Sequence, residues 1–548
     1  MVLAGGAFVL PLAVLWNASD TYVLPKLLVA RALVLLLAAL WLMRGAVERR
    51  LVIRRTPLDI ALLIFVASAA ISTVFAINRN LALFGGYDRY EGFLTISLYA
   101  ALYWLTVQCL ESEHSARLLI RTLLMSGYAA AVFAIAQSLL ASAHGIPSGE
   151  SAFDFAGVAR AQGTMGNANL LATFLAMLLP IAFDKLVTTA SWWLRAAWLN
   201  VLVVMSVALL LTFGRAAIVA AALAMVMVGL RRLRPWRKPR RLIGPMLALI
   251  IAGGLLVIPA QGGLALGRSI LDRFGSIADP TAGSNATRIH VWHDSLRLIA
   301  ARPLVGFGPD TFGLVYPRFE TGDWTPGYRI DKAHADTLQV AATQGALGLA
   351  SYLALMLSAV IMFWRARGAE TIALFAGWLA YQVVTQVNFS WLPAAAPFWL
   401  FLGAAAVLCL ERRPRVHQLA VDRWRGAAAV LAAGAALALL GPAVIRPYQA
   451  EADFSAGLEA ELHGDSTTSL ALVQEARRLS ADNPAYADEA GTLLIRAGSI
   501  GEARHAFKEA IELGSEDPAA YRSLAIIDQL TGRQSEAAWA ARAMRASP

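Results

Sequence analysis

Residues 196–230 read AAWLNVLVVMSVALLLTFGRAAIVAAALAMVMVGL, a run whose one charged residue is Arg215. A helix that crosses a membrane needs about 20 mostly apolar residues, so this stretch holds two crossings with Arg215 at the turn between them. A central arginine costs roughly 2.5–3.5 kcal/mol on insertion scales. Ionisable groups inside a membrane tend to be functional or tightly paired. If the turn reaches water, both the cost and the inference shrink.

The pattern extends along the chain. Of 548 residues 58% are hydrophobic and 15% charged, which is too apolar for an ordinary soluble protein. Apolar runs near residues 2–16, 24–43, 58–77, 93–110, 119–140, 168–183, 193–212, 214–230, 242–259, 338–363, 370–389, 393–410 and 427–445 predict an all-α, polytopic membrane protein with about 12–13 transmembrane helices. The first run does not read as a signal peptide: it lacks a basic start, Pro11 interrupts it, and a second span follows at once.

Arginines orient the chain. MRGAVERRLVIRR, RRLRPWRKPRR, WRARG and ERRPRVHQLAVDRWR hold nineteen basic residues, between spans 2–3, 8–9, 10–11 and 12–13. A cytoplasmic N-terminus puts all four loops in the cytoplasm, as the positive-inside rule requires. The net charge of +10 is then a topology signal and not a nucleic-acid footprint. Residues 78–92, 141–167, 213–215, 260–337 and everything after 446 fall outside. Cys109 and Cys409 both lie in spans, so no disulfide framework or thiolate metal cluster is expected.

Two domains are expected, a transmembrane domain over 1–445 with the long external loop 260–337, and a tail over 446–548. The tail holds sixteen acidic and ten basic residues and repeats itself. Gly464, Gly498 and Gly532 are 34 apart, as are Ala476 and Ala510, Ala503 and Ala537, and Pro484 and Pro518. Ser469 and Met544 replace alanines of the pattern. The spacing resembles the tetratricopeptide repeat, a binding scaffold without chemistry of its own. Such a tail is a cap on the membrane domain or a dock for a partner protein or glycan. Its negative charge argues against nucleic acid.

No phosphate-cradling Gly-rich loop is present. The external segments instead offer Arg89 in GGYDRYEGF, Arg160 in ARAQGTMGNANLLA, Arg215 in TFGRAA and Arg288 in NATRIHVWHDS. Arginine is permanently charged and grips phosphate oxygens with a planar fork, so several converging would suit a diphosphate. Against this, Arg89 has Asp88 and Glu91 beside it and Arg160 reads equally as a solvated loop residue. Arg288 opens a predicted amphipathic helix over 287–301, with Ile289, Trp292, Leu296 and Ile299 at helical spacing. A cation there opposes the helix dipole, so its place calls for another reason.

Histidine is the usual base near neutral pH. His144, His290, His293 and His334 fall outside. His290, His293, His334 and Asp336 would allow a zinc site, but Trp292 between the first pair reads as packing, and no metal is expected. His334, in DKAHADTLQ at 331–339, begins a span. On residues alone it is equally an interfacial collar residue and a general base.

Taken in order, GGYDRYEGF, RAQGTMGNANLLATFLAMLLP, TFGRAA, TRIHVWHDSLRLIAARPLVGFG and DKAHADTLQVAATQGALGL resemble the O-antigen ligase and polymerase superfamily of membrane glycosyltransferases, over roughly residues 20–410. Ala168 stands where that family often has Pro, Ala335 where it has Asn or Ser, and Gly214 where a hydroxyl is common. The resemblance implies a GT-C-type transferase on the outer face of the bacterial inner membrane. It needs no cofactor or metal, because the donor is an activated glycan on undecaprenyl diphosphate. The acceptor would be a hydroxyl on lipid A–core or on another glycan. His334 would be the base, Arg215 and Arg288 would stabilise the leaving diphosphate, Arg89 and Arg160 would contact the donor, and Asp336 would orient the His334 ring in place of a hydrogen bond lost at Ala335. A polymerase or protein O-glycosylating enzyme shares this donor. A transporter, with Gln382, Gln386 and Asn388 along a path, and a non-catalytic assembly scaffold are the readings of other classes.

Overall fold

The computed structural model describes residues 1–144, 159–232, 283–322, 329–366, 368–410, 415–533 and 535–536. Helices dominate: α1 (Val2–Val9), α2 (Val23–Val47), α3 (Asp59–Val74), α4 (Arg79–Phe84), α5 (Phe93–Cys109), α6 (Glu113–His144), α7 (Ala168–Thr188), α8 (Trp192–Leu211), α9 (Arg215–Arg232), α10 (Gly283–Ala301), α11 (Phe312–Val315), α12 (Asp336–Arg365), α13 (Thr371–Thr385) and α14 (Leu392–Cys409). The tail region holds α15 (Arg423–Ala438), α16 (Arg446–Leu462), α17 (Ser466–Leu479), α18 (Pro484–Arg496), α19 (Ile500–Leu513) and α20 (Pro518–Leu530). Among the described residues seven helices are long and apolar enough to cross a membrane, and four shorter apolar helices accompany them. With α9, whose arginines sit at its ends, they occupy twelve of the thirteen expected positions. The remaining one, 242–259, lies outside the described residues. The protein is an all-α, multi-pass membrane protein.

The axis of the bundle is α7, which is apolar along almost its whole length and buried nearly throughout. It packs on α8, α9 and α13. Asn167 caps it, accepting from the Asn169 amide at 2.8 Å. Ala168, which stands where the resembling family has Pro, is its first residue, the one helical position where Pro costs nothing.

Two short strands interrupt the helical pattern. Arg50–Arg55 and Arg415–Ala420 pair antiparallel, Arg50 opposite Ala420 and Arg55 opposite Arg415. These are arginine-rich stretches from two of the four basic loops, so those loops share one end of the bundle. Other contacts sort the same way. Asp184 with Arg232 and Arg117 with Glu370 lie at one end. The opposite end joins Asn285 to Arg215, Trp391 to Arg89, and Asp20 to Glu451 of the tail.

The expected boundary at 445/446 is not a linker. Residues 423–462 form one continuous helix of 40 residues, about 60 Å long at 1.5 Å per residue, with a π-turn over Gly441–Ile445. Beyond it the helices come in hairpins, α16 with α17 and α18 with α19. The repeat period is visible in their bounds, since α17 and α19, and α18 and α20, start 34 residues apart. Gly464, Gly498 and Gly532 hold the turns at φ of 81°, 77° and 75°, where a side chain is strained. Ala476, Ala503 and Ala510 are fully buried at the helix crossings. The repeat positions Ala537 and Met544 lie outside the described residues.

Candidate active site

The α8–α9 turn is built first. Leu211 ends α8, Phe213 takes a left-handed φ of 54°, and Arg215 opens α9. The arriving segment 159–161 docks onto it: the Ala161 amide donates to the Leu211 carbonyl at 3.0 Å and Arg160 Nε to the Thr212 carbonyl at 2.9 Å. Carbonyls at a helix C-terminus carry partial negative charge and favour a cation. Arg160 also reaches Asn169 Oδ1 at 3.4 Å. Burial, and secondarily the neighbouring Arg288, pull its guanidinium down to about 10; it stays charged at neutral pH.

Helix α10 supplies the next layer. Arg215 Nη2 donates to Asn285 Oδ1 at 2.9 Å. Because the helix runs from Gly283, Arg288 lies in its second turn. The expected start at 287 is therefore corrected, and with it the argument that Arg288 opposes the dipole at an N-terminus. The face that packs on the protein is not the apolar one read from the spacing. Val291, Asp294, Ser295 and Leu298 face inward, while Ile289 and Leu296 are exposed. Inward Asp294 accepts from Tyr316 at 3.0 Å and from the Thr321 amide at 3.1 Å, which satisfies its buried charge and fixes α10 on the following loop. His290 and His293 are exposed.

His334 closes the site. Its backbone is left-handed at φ 50°, a conformation a non-glycine residue holds at a cost of about 1–3 kcal/mol. The surroundings enforce it. Trp292 Nε1 of α10 donates to the His334 carbonyl at 3.4 Å, the Ala333 amide donates to Gln339 at 2.8 Å, and the ring packs on Phe389 at 5.5 Å. Burial, and then the field of Arg288, lower the imidazole to about 4, with Asp331 opposing, so the ring is neutral at pH 7. Its Nδ1 is buried with no hydrogen-bond partner among the described residues.

The structure thus sets Arg288 beside both Arg160 and His334, and Arg215 reaches Asn285, three residues before Arg288 on α10. It does not bring Arg89 to them. Arg89 lies in a buried ion network, Nε 3.3 Å from Asp310, Nη1 3.5 Å from Asp331 and Nη2 2.9 Å from Glu516 of the tail. Lys332 adds a contact to Asp310 at 3.4 Å, and the Gly86 amide donates to Asp310 at 2.7 Å. Burial alone would lower the Arg89 guanidinium, but the three acids outweigh it and hold it well above its usual range. Arg89 is thereby matched by acids of the protein itself. Nor does Asp336 orient His334 through Nδ1: its carboxylate accepts from the Ser390 amide at 2.8 Å, pinning the α13–α14 turn that carries Phe389.

Sequence reasoning missed Asn285, Asp310 and Glu516, and the ribbon 303–308. That ribbon lies along a break in α12 at Gly345, whose φ is 67°. Gly308 N bonds the Thr343 carbonyl at 2.8 Å and Ala346 N the Pro303 carbonyl at 2.7 Å. A Cβ on Gly306 would stand 2.4 Å from the Thr343 backbone, and one on Gly345 2.3 Å from that of Leu304. The glycines of PLVGFG and TQGALG were the available signal, since only glycine permits two backbones so close.

Residues 201–353 match the family model described as O-antigen ligase. This region is similar to the O-antigen ligase family. The matched stretch contains Arg215, Arg288 and His334 and leaves Arg89 and Arg160 outside it. No curated protein matches the chain. The match supports ligase- or polymerase-type activity broadly, and that family implies a lipid-linked glycan donor and a polysaccharide acceptor in a membrane.

Proposed function

We propose that the protein transfers a glycan from undecaprenyl diphosphate to an acceptor hydroxyl on the outer face of the bacterial inner membrane, with lipid A–core as acceptor. The N-terminus is then cytoplasmic and the tail periplasmic. The observation that carries the reading is Arg288 beside both Arg160 and a neutral His334, with Arg215 held to the same helix through Asn285. Guanidinium forks grouped in this way suit the oxygens of a diphosphate. In the reaction the acceptor oxygen bonds to the anomeric carbon and its proton passes to His334. The bond from that carbon to the diphosphate oxygen breaks, and undecaprenyl diphosphate leaves with the electron pair. General base catalysis contributes about 10²–10⁴-fold, and preorganised cations facing the leaving group commonly contribute more.

The low basicity of His334 has a use here. A ring near 4 is a weak base. Burial is the larger cause of the depression and persists; a diphosphate seated on Arg288 cancels the smaller part that comes from that guanidinium, so donor binding strengthens the base.

The test is transfer of a radiolabelled lipid-linked glycan in membranes containing the full chain. His334→Ala and Arg288→Ala are expected to abolish it with the protein still present at normal level. Near-normal turnover by folded His334→Ala would remove the base assignment. Offering lipid A–core, a growing glycan and a protein acceptor side by side decides among ligase, polymerase and protein glycosylation.

A further inference from the structure

A cavity lies away from this site, between α2, α5, the π-turn that joins α15 to α16 and the turn joining α17 to α18. Its volume is about 570 Å³. None of its lining residues falls within 201–353. Leu27, Val34 and Leu98 form apolar walls. The rim residues Leu94 and Leu439 are exposed, so the cavity opens sideways between α5 and α15, which in a multi-pass protein faces lipid.

Two opposite charges line it. Arg31, on α2, donates from Nη1 to the Ala443 carbonyl at 3.2 Å, and Pro447, four residues on from Ala443, has no N–H to offer that carbonyl. Asp482, in the α17–α18 turn at the mouth, accepts from Ser480 Oγ at 3.0 Å. They act on each other electrostatically, yet among the described residues neither has an oppositely charged partner within the 4.0 Å of an ion pair. An intramembrane arginine left without a carboxylate marks a ligand site more often than a structural one.

The order of groups specifies the ligand. α2 starts at the tail end of the bundle, where Asp20 binds Glu451, and Arg31 follows Val23 by eight residues. From the mouth inward the cavity presents an acid, then a cation, then apolar wall. A phosphoethanolamine lipid presents an ammonium, then a phosphate, then acyl chain. We propose that this cavity binds a zwitterionic phosphoethanolamine lipid of the bilayer, phosphate on Arg31 and ammonium on Asp482, joining the repeat tail to the membrane domain. A phosphate meets the guanidinium fork bidentately, and the acyl chain continues past Val34 into the membrane.

The test uses the full chain, purified in detergent, stripped of lipid and examined by native mass spectrometry. Phosphatidylethanolamine and phosphatidylglycerol of equal acyl composition are offered in competition, with undecaprenyl phosphate as a third arm. Wild type is expected to retain phosphatidylethanolamine at least tenfold over phosphatidylglycerol. Asp482→Asn is expected to erase that preference while keeping phosphate-lipid binding, and Arg31→Met to lose both lipids at least tenfold. Leu98→Trp, which fills the wall and leaves both charges, is the second variant should Arg31→Met fail to fold; it should also expel the lipid. Equal retention by Arg31→Met or Leu98→Trp, a preference for phosphatidylglycerol, or displacement by undecaprenyl phosphate would each overturn the proposal.

Discussion

Replacing Glu516 by Gln tests whether the tail is part of the working site. Glu516 lies 2.9 Å from Arg89 and 3.2 Å from Arg329, and its side chain and that of Arg89 are only 9% and 10% exposed. Removing one member of a buried ion pair costs about 3–5 kcal/mol, because the other charge stays buried. Arg89 keeps Asp310 and Asp331, so the lower end applies, about 3 kcal/mol, or about 150-fold in the docked-to-undocked ratio of the tail. Hydrogen exchange in a lipid nanodisc reads this directly. The Arg89 and Tyr90 amides bond the Gly86 carbonyl at 3.2 and 2.9 Å, and with Asn78 and Asn80, which donate to the Glu512, Asp482 and Leu513 carbonyls, they should exchange faster in the variant. The buried helix α7 should not change. Transfer should fall with docking, since Asp331 holds Arg89 three residues before His334. Unchanged exchange over 78–92, or a double cycle with Arg89→Met showing no coupling, would refute the reasoning.

Three further outcomes follow from the geometry. With its ring at about 4, His334 in the free protein is deprotonated across the neutral range; kcat/KM should stay flat from pH 7 to 5 and fall through about 4, while kcat, which reports the donor complex, should fall at higher pH, and identical acid limbs would contradict the donor-raised base. The same ring has a folded pKa below its unfolded value of about 6.5, so its contribution to stability is present above that value and lost as pH falls toward 4, measurable by thermal unfolding across this window. Gly345→Ala forces a left-handed alanine against the Leu304 backbone, costing about 2–5 kcal/mol from strain and overpacking, seen as a lowered Tm together with lost transfer. Arg160→Ala removes a charge-assisted bond to the Thr212 carbonyl, worth about 1.5–3 kcal/mol; transfer should drop at least tenfold, with Arg160→Lys recovering little of it, and a silent Arg160→Ala would detach Arg160 from the site.

The membrane fold was legible because each span is a long apolar run, and the positions of twelve helices follow those runs. Candidate loop residues stood out where a residue type is scarce: an arginine between two spans and a histidine at the mouth of one. Partners were not. Arg89 was read beside its chain neighbours Asp88 and Glu91, but its acids come from Asp310, Asp331 and Glu516, the last more than 400 residues away. Asp336 looked placed to orient His334 because it is two residues off; a left-handed backbone at 334 and a helix starting at 336 send the two side chains to different neighbours. The strands β1 (Arg50–Arg55) and β2 (Arg415–Ala420) escaped because each is six residues of mixed polarity whose only pairing partner lies on the other side of the membrane domain's sequence.

The unbroken helix from Arg423 to Leu462 sets the tail's angular phase. Each residue turns a helix by about 100° and advances it 1.5 Å. Adding two residues near Gly434 would swing the hairpins by about 200°, away from Asp20 and Arg89. Adding seven would bring them back within about 20° but lift them about 10 Å off the same contacts. No insertion satisfies rotation and height together, so the length of this span is fixed by what the tail must reach.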